Sequence, residues 1–246
     1  MMKHLFTVFF LLLALTAAAQ DKKPQQWPSF LTLDQIADGV AYLPAPPDTS
    51  SVDYLCDFSR YQWGKSLRHT LRGEQAAADA DLSVPSLLSL FSAAMGITMT
   101  REQTPELYAL VERLDTDGGN AIRKAKNHYK RRRPFVQFHE PTLLPHLDEG
   151  YRTTYSYPSG HSSVGWCIAL VLAEINPARQ EAILKRGYEM GESRVIAGFH
   201  YQSDVDAARL AASAVVARLH ADSGFQRHLV RAKKEFAKVA ARQQRQ

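Results

Sequence analysis

Three short stretches hold the residues whose types and spacing could do chemistry. The first is Lys126-Asn127-His128-Tyr129-Lys130-Arg131-Arg132-Arg133-Pro134-Phe135. On a helix, positions seven apart return to nearly the same face, so Lys126 and Arg133 can point one way together. One flexible point charge and one planar fork suit the oxygens of a phosphoryl group. Taken alone, the stretch reads more simply as a solvated basic face. Pro134 is expected to end the helix and so to set where Arg133 points.

The second stretch is Tyr157-Pro158-Ser159-Gly160-His161-Ser162-Ser163, just ahead of the most apolar segment of the chain. Unclaimed backbone N–H groups at a helix start, with Gly160 allowing close approach, make an anion cradle. Ser159 adds a hydroxyl donor, and His161 beside a bound anion could give a proton to a leaving oxygen. An ordinary capping turn explains the same residues equally well. The third stretch is Ser193-Arg194-Val195-Ile196-Ala197-Gly198-Phe199-His200-Tyr201-Gln202-Ser203-Asp204. Arg194 is embedded in apolar neighbours, an expensive place for a charge without an anionic partner. His200 and Asp204 are four apart and share a face if the turn is helical. A carboxylate on Nδ1–H would leave Nε2 as a lone-pair nucleophile. The plainer alternatives are a satisfied core histidine and a helix-capping aspartate.

The elements that must position these residues read as all-α: a single compact helical domain around a central buried helix. Prolines 24, 28, 44, 46 and 47 mark residues 20–50 as an extended leader lying over the domain. From residue 51 to 242 the patterning is helical nearly throughout. Leu107, Leu110, Val111 and Leu114 recur at helical spacing behind Pro105. Gly118-Gly119 is expected to break that helix, and 120–132 to resume it with a basic face. Residues 134–155, with Pro141 and Pro145, read as a long loop, which in a compact domain tends to be functional. Ser163 to Ile175 is apolar on nearly every side, which predicts the central position. Helices are expected from Asn176-Pro177 to about Gly191, from Asp204 to His220 and, basic, from Gln226 to Arg242. Nothing alternates with period two.

Length and composition bound the partners. The chain has 246 residues, 45% hydrophobic and 22% charged, enough for one well-cored domain. A net charge of +5 favours anions without choosing between nucleic acid, membrane surface and phosphate ester. Met1-Met2-Lys3-His4, the apolar run Leu5–Leu15 and Ala17-Ala18-Ala19 form a signal peptide over residues 1–19, too short in its apolar core to be a comfortable span. The mature protein is therefore expected to be periplasmic or secreted, which conflicts with reading Lys130 to Arg133 as a nuclear signal. Cys56 and Cys167 permit at most one disulfide, and Cys167 reads as a small buried hydrophobe. Neither has metal-ligand spacing with the nine histidines, so no metal site is expected.

Together the stretches read Lys-x6-Arg-Pro, Pro-Ser-Gly-His and Ser-Arg-x5-His-x3-Asp, and all eleven positions stand in order. This resembles the type 2 phosphatidate phosphatase and vanadium haloperoxidase superfamily, and within it the bacterial class A non-specific acid phosphatases. The likeness runs from about Tyr42-Leu43-Pro44 to near Lys238. It includes Arg72-Gly73, Ala78-Asp79-Ala80-Asp81, the run Leu170 to Pro177 and the run Ser203 to Arg209.

The resemblance implies that Lys126, Arg133, Arg194, Ser159 and the Gly160 amide hold the phosphoryl oxygens. It further implies that His200 attacks phosphorus, Asp204 orients it and His161 protonates the alcohol. No cofactor or metal is implied. The implied partners are small phosphate monoesters and further copies of the chain as a homo-oligomer, with no nucleic acid and no stable membrane insertion. Tyr155 stands where class A members usually have Gly, Ser162 where they have Thr, and Ala197 where many have a disulfide Cys. None of these touches the eleven positions.

Rival readings are weaker. Vanadium haloperoxidases are typically much longer, and a membrane lipid phosphatase needs several spanning helices. A non-catalytic phosphate-binding module, or a basic nucleic-acid-binding one, gives no reason for two histidines with an aspartate partner. On export, N-terminal sequencing of the mature chain is expected to begin at Gln20; a mature form starting at Met1 overturns the signal peptide.

Overall fold

In a computed structural model that describes residues 28–243 and 245, the chain is helical with no strand among the described residues. The expected signal peptide, residues 1–19, and residues 20–27 of the expected leader lie outside them. Eleven α-helices follow in order: α1 Val52–Ser66, α2 Leu71–Ala78, α3 Val84–Met95, α4 Pro105–Ala121, α5 Arg123–Tyr129, α6 Pro134–Gln137, α7 Pro145–Arg152, α8 Gly160–Ile175, α9 Gln180–Ala197, α10 Gln202–Leu219 and α11 Ser223–Gln243.

The centre is α8. Eleven of its sixteen residues are buried, so it has no face to give to solvent and must be enclosed. The enclosing helices are α4, α9 and α10. Two glycines set how closely they approach. A Cβ on Gly118 of α4 would lie 3.0 Å from the Val164 Cα, and one on Gly187 of α9 would lie 2.3 Å from the Ala169 Cβ. Gly118-Gly119 therefore does not break α4, as the sequence alone led us to expect. The helix runs through the pair because α8 needs the space that Gly118 leaves. Cys167 is fully buried between these helices and Cys56 is exposed on α1, so the two thiols are unpaired.

The amphipathic stripe of α4 is as predicted, with Leu107, Leu110, Val111 and Leu114 all buried and Pro105 in the first turn. Its N-terminus is capped from α11, where Glu235 accepts from the amides of Glu106 at 3.0 Å and Leu107 at 2.9 Å. The described part of the leader lies on the domain through two short 3₁₀ turns, Leu33–Gln35 and Gly39–Ala41. Leu31, Ile36 and Leu43 join the main core. The amides of Phe30 and Leu31 donate to Asp117 at 3.0 and 3.2 Å, and burial raises that carboxyl to about 6.

Two further expectations need correction. Residues 134–155 are not one long loop, because Pro134 and Pro145 each occupy the first turn of a short helix, α6 and α7. Nor does Pro134 end the basic helix. The chain leaves α5 at Tyr129 through Lys130, whose φ of 49° is left-handed, and Arg133 is the extended residue before α6. Among the described residues no helix is long and apolar enough to cross a membrane.

The packing at α8 makes a paired prediction. Gly187→Val is expected to lower stability by about 1–3 kcal/mol through overpacking. Gly119→Ala, whose Cβ meets nothing within 4 Å, should raise it by about 0.5–1 kcal/mol. Denaturant unfolding of both variants checks this, and equal effects would mean the interhelical distance is not set by Gly187.

Candidate active site

His200 sits in the turn between α9 and α10 and is buried. It is not on a helical turn with Asp204, as the four-residue spacing had implied; Asp204 occupies the first turn of α10 and reaches back. The His200 Nε2 lies 3.0 Å from an Arg133 Nη. A guanidinium only donates, so Nε2 holds the lone pair and Nδ1 the hydrogen. The Nδ1 faces the Asp204 carboxylate at 3.4 Å and the Ser156 hydroxyl at 3.4 Å. Burial, followed by the charges of Arg133, Lys126 and Arg194, holds the imidazole well below the usual histidine range. It is neutral.

The cations named from sequence gather around this ring. Arg133 is anchored by Thr154 Oγ1 at 3.0 Å and the Phe199 carbonyl at 3.1 Å, and burial lowers it to about 10. Lys126 donates to the Tyr155 carbonyl at 2.9 Å, and burial, reinforced by Arg133, lowers its ammonium to about 7. Arg194, in the last turn of α9, is wholly buried over the Phe199 ring at 4.5 Å. Its Nε, Nη1 and Nη2 have no hydrogen-bond partner among the described residues. Burial lowers it to about 10, so it keeps its charge.

Ser159 caps α8, and its amide donates to the Asp204 carbonyl at 3.0 Å, tying the second stretch to the third. Its oxygen accepts from Ser162 at 2.8 Å, which leaves its own proton to donate. Gly160 opens the helix, where first-turn amides have no carbonyl to reach. A Cβ there would meet nothing within 4 Å, so the space above it suits a ligand.

His161 lies 3.1 Å from the Ala80 carbonyl through Nε2, which must donate there. Burial and Arg194 hold its imidazole well below the usual range. It lines a cavity of about 370 Å³ with Leu82, Asp115, Thr116, Asn120, Gly160 and Val164. Next to Ala80, Asp79 is buried against Arg186 and accepts from the motif Ser193 at 2.6 Å. Among the described residues no three His, Cys, Asp or Glu side chains group as a metal site.

A family model described as the PAP2 superfamily matches residues 108–227. The non-specific acid phosphatase of Providencia stuartii is 47% identical over 85% of this chain and 85% of its own. That of Salmonella typhimurium is 38% identical over 96% and 93%. An acid phosphatase of Zymomonas mobilis is 37% identical over 82% and 77%. The chain belongs to the class A non-specific acid phosphatases of the PAP2 superfamily.

Beyond the eleven motif positions, this member of the class has a second ring of residues to which the sequence assigned no role. Arg131 donates to Asp204 at 2.6 Å and, through its other terminal nitrogen, to Asp57 at 2.8 Å. Ser156 donates to Asp204 as well, and its amide donates to the Arg131 carbonyl at 2.8 Å. A signal exists in the alternation of the run. Once the chain is extended, Arg131 and Arg133 turn inward and Arg132 stays exposed. It can be read only when the end of α5 is known.

The Lys126 shift predicts a pH dependence for anion binding. An ammonium lowered to about 7 is charged below that pH and loses its charge above it. Sulfate, a dianion throughout, is expected to bind more weakly as pH rises through 7. Lys126→Met should bind sulfate about tenfold more weakly at pH 6, with the step removed. Titration calorimetry reads both, and a flat wild-type profile would remove Lys126 from the anion site.

Proposed function

We propose that this chain is an exported, metal-independent acid phosphatase that hydrolyses phosphate monoesters of broad structure through a phosphohistidine on His200. The observation that carries the reading is Arg194, a fully buried guanidinium with three unpartnered nitrogens beside a neutral, lone-pair-bearing histidine. Such a group calls for an anion with several oxygens. The relatives point to the chemistry: each is a non-specific acid phosphatase or an acid phosphatase.

The steps follow from the positions. Lys126, Arg133, Arg194, the Ser159 hydroxyl and the Gly160 amide take the phosphoryl oxygens and stabilise the charge that develops on them. The His200 Nε2–P bond forms as the ester P–O bond breaks, and Asp204 stabilises the ring as it gains positive charge. In the unliganded site His161 is neutral with Nε2–H given to Ala80, so it donates only as the imidazolium, through Nδ1–H. A bound dianion offsets the neighbouring cations and makes that form accessible. His161 then protonates the departing alkoxide and later takes a proton from the water that cleaves the phosphohistidine. An acceptor alcohol in place of that water gives phosphotransfer. The positive charge that a metal ion supplies in other phosphatases comes here from three side chains. The reading includes a homo-oligomer.

Activity on an aryl phosphate is expected to survive strong chelation and to be inhibited by vanadate; loss in chelator with rescue by zinc or magnesium would overturn metal independence. His200→Ala should trap no labelled phosphoenzyme. His161→Ala should cost about 10²–10⁴-fold with alkyl esters and less with an aryl ester, whose phenol leaves unprotonated. Label trapped by the His200 variant and not by the His161 variant would reverse the assignment.

A further inference from the structure

We propose that Arg131, held from behind by Asp57, is a positioning residue that fixes the Asp204 carboxylate and through it the ring of His200. The inference rests on the phosphatase reading above and concerns how its nucleophile is held.

The three inward guanidiniums differ in what they already hold. Arg194 has no partner among the described residues, and Arg133 keeps one Nη on the lone pair of His200. Arg131 is engaged through both of its terminal nitrogens. One Nη bonds Asp204 at 2.6 Å and Ser203 Oγ at 2.8 Å, and the other bonds Asp57 at 2.8 Å. Its Cζ stacks 4.0 Å above the Tyr201 ring. With each terminal nitrogen bonded to a carboxylate, its charge is directed at Asp57 and Asp204 rather than at the anion cradle.

The other face of Asp204 meets the nucleophile. The oxygen away from Arg131 accepts from the Tyr201 amide at 2.9 Å and from Ser156, and lies 3.4 Å from the His200 Nδ1. A carboxylate 3.4 Å from the nitrogen it must orient tolerates little further drift before the contact is lost. Arg131 prevents that drift twice. Its side chain pins the far oxygen of Asp204, and its backbone carbonyl pins the amide of Ser156, the second group facing Nδ1. Asp57 completes the arrangement. It accepts from the Ser203 amide at 2.9 Å and from the Ser203 hydroxyl, so the start of α10 and the guanidinium are held to α1 by one carboxylate. Planar two-sided bridging of this kind needs the fork of an arginine.

The test is a double-mutant cycle in phosphoenzyme formation, measured by rapid quench with a labelled aryl phosphate on folded protein. Arg131→Met is expected to slow the step about 10–100-fold, as a displaced reacting group does. Inhibition by inorganic phosphate, which reads Lys126, Arg133 and Arg194, should stay within about twofold. In an Asp204→Asn background the same substitution should cost almost nothing further, because its route to His200 is already cut. Asp57→Asn should show a smaller loss with the same non-additivity, and Arg131→Lys an intermediate one.

If Arg131→Met does not fold, Arg131→Lys takes its place in the cycle. Wild-type rates in a folded Arg131 variant, losses that multiply with Asp204→Asn, or phosphate inhibition weakening in step with turnover would each overturn the proposal. Wild-type turnover and its loss in His200→Ala are read in the same series. A phosphatase indifferent to Arg131 is thereby separated from a chain that is no phosphatase.

Discussion

Lys126, Arg133 and Arg194 converge on one buried imidazole, and removing three like charges from water into a helical core costs several kcal/mol each. Against a net stability of about 5–15 kcal/mol for a domain, that cost has to be offset by the frame that holds them. The frame is the contact of α8 with α4, α9 and α10, where small residues bring backbones close and side chains fill the remaining space. Arg194 is the last charge on α9, and Ser159 and Gly160 begin α8. The helix pair that meets at Gly187 and Ala169 therefore also sets the distance between the guanidinium and the anion cradle.

The carboxylates of the site stand behind the cations rather than among them. Asp79 takes Arg186 and the hydroxyl of Ser193, one residue before Arg194. Asp57 and Asp204 take Arg131 from two sides. Placed between the free cations, any of these would neutralise the cradle and close it to an anion. Placed behind, they compensate buried charge while leaving Arg194 unpartnered. The segment Asp79-Ala80 works at both ends of this arrangement, since the Asp79 side chain steadies the third stretch and the Ala80 carbonyl orients His161.

Much of this was legible in the residues. The apolar character of Ser163 to Ile175 forced a central helix, and the charge of Arg194 among valine, isoleucine and alanine announced a buried cation in need of an anion. The histidine–aspartate partnership was legible from spacing, though for a different geometric reason than the one found. The breaks were less legible. Glycine and proline are ambiguous punctuation, since Gly118 serves packing inside a helix and Pro134 begins a helix rather than ending one. The end of α5 depends on Lys130 adopting φ of 49°, a conformation that its residue type disfavours and only the tertiary context imposes. Because that end was invisible, the run Lys130 to Arg133 looked like one basic face. Its alternation into two inward arginines and one outward arginine could not be seen.

The convergence of charge also decides which protonation state the proposed nucleophile has. An exposed imidazole titrates near 6.5, so by pH 5 most of it has lost its lone pair to a proton. Here burial and the three cations hold His200 far below that range, and the Nη of Arg133 occupies the position where a proton would settle on Nε2. The lone pair therefore persists into acid. In the proposed mechanism the same cations attract a phosphoryl group, and its oxygens draw off the donors that Arg133 and Lys126 now direct at His200 and at the Tyr155 carbonyl. Binding in that mechanism uncovers Nε2 at the moment an electrophile stands before it. On that proposal one cluster of positive charge both keeps the histidine unprotonated and delivers the group it attacks, so the cationic residues are not assigned to binding alone.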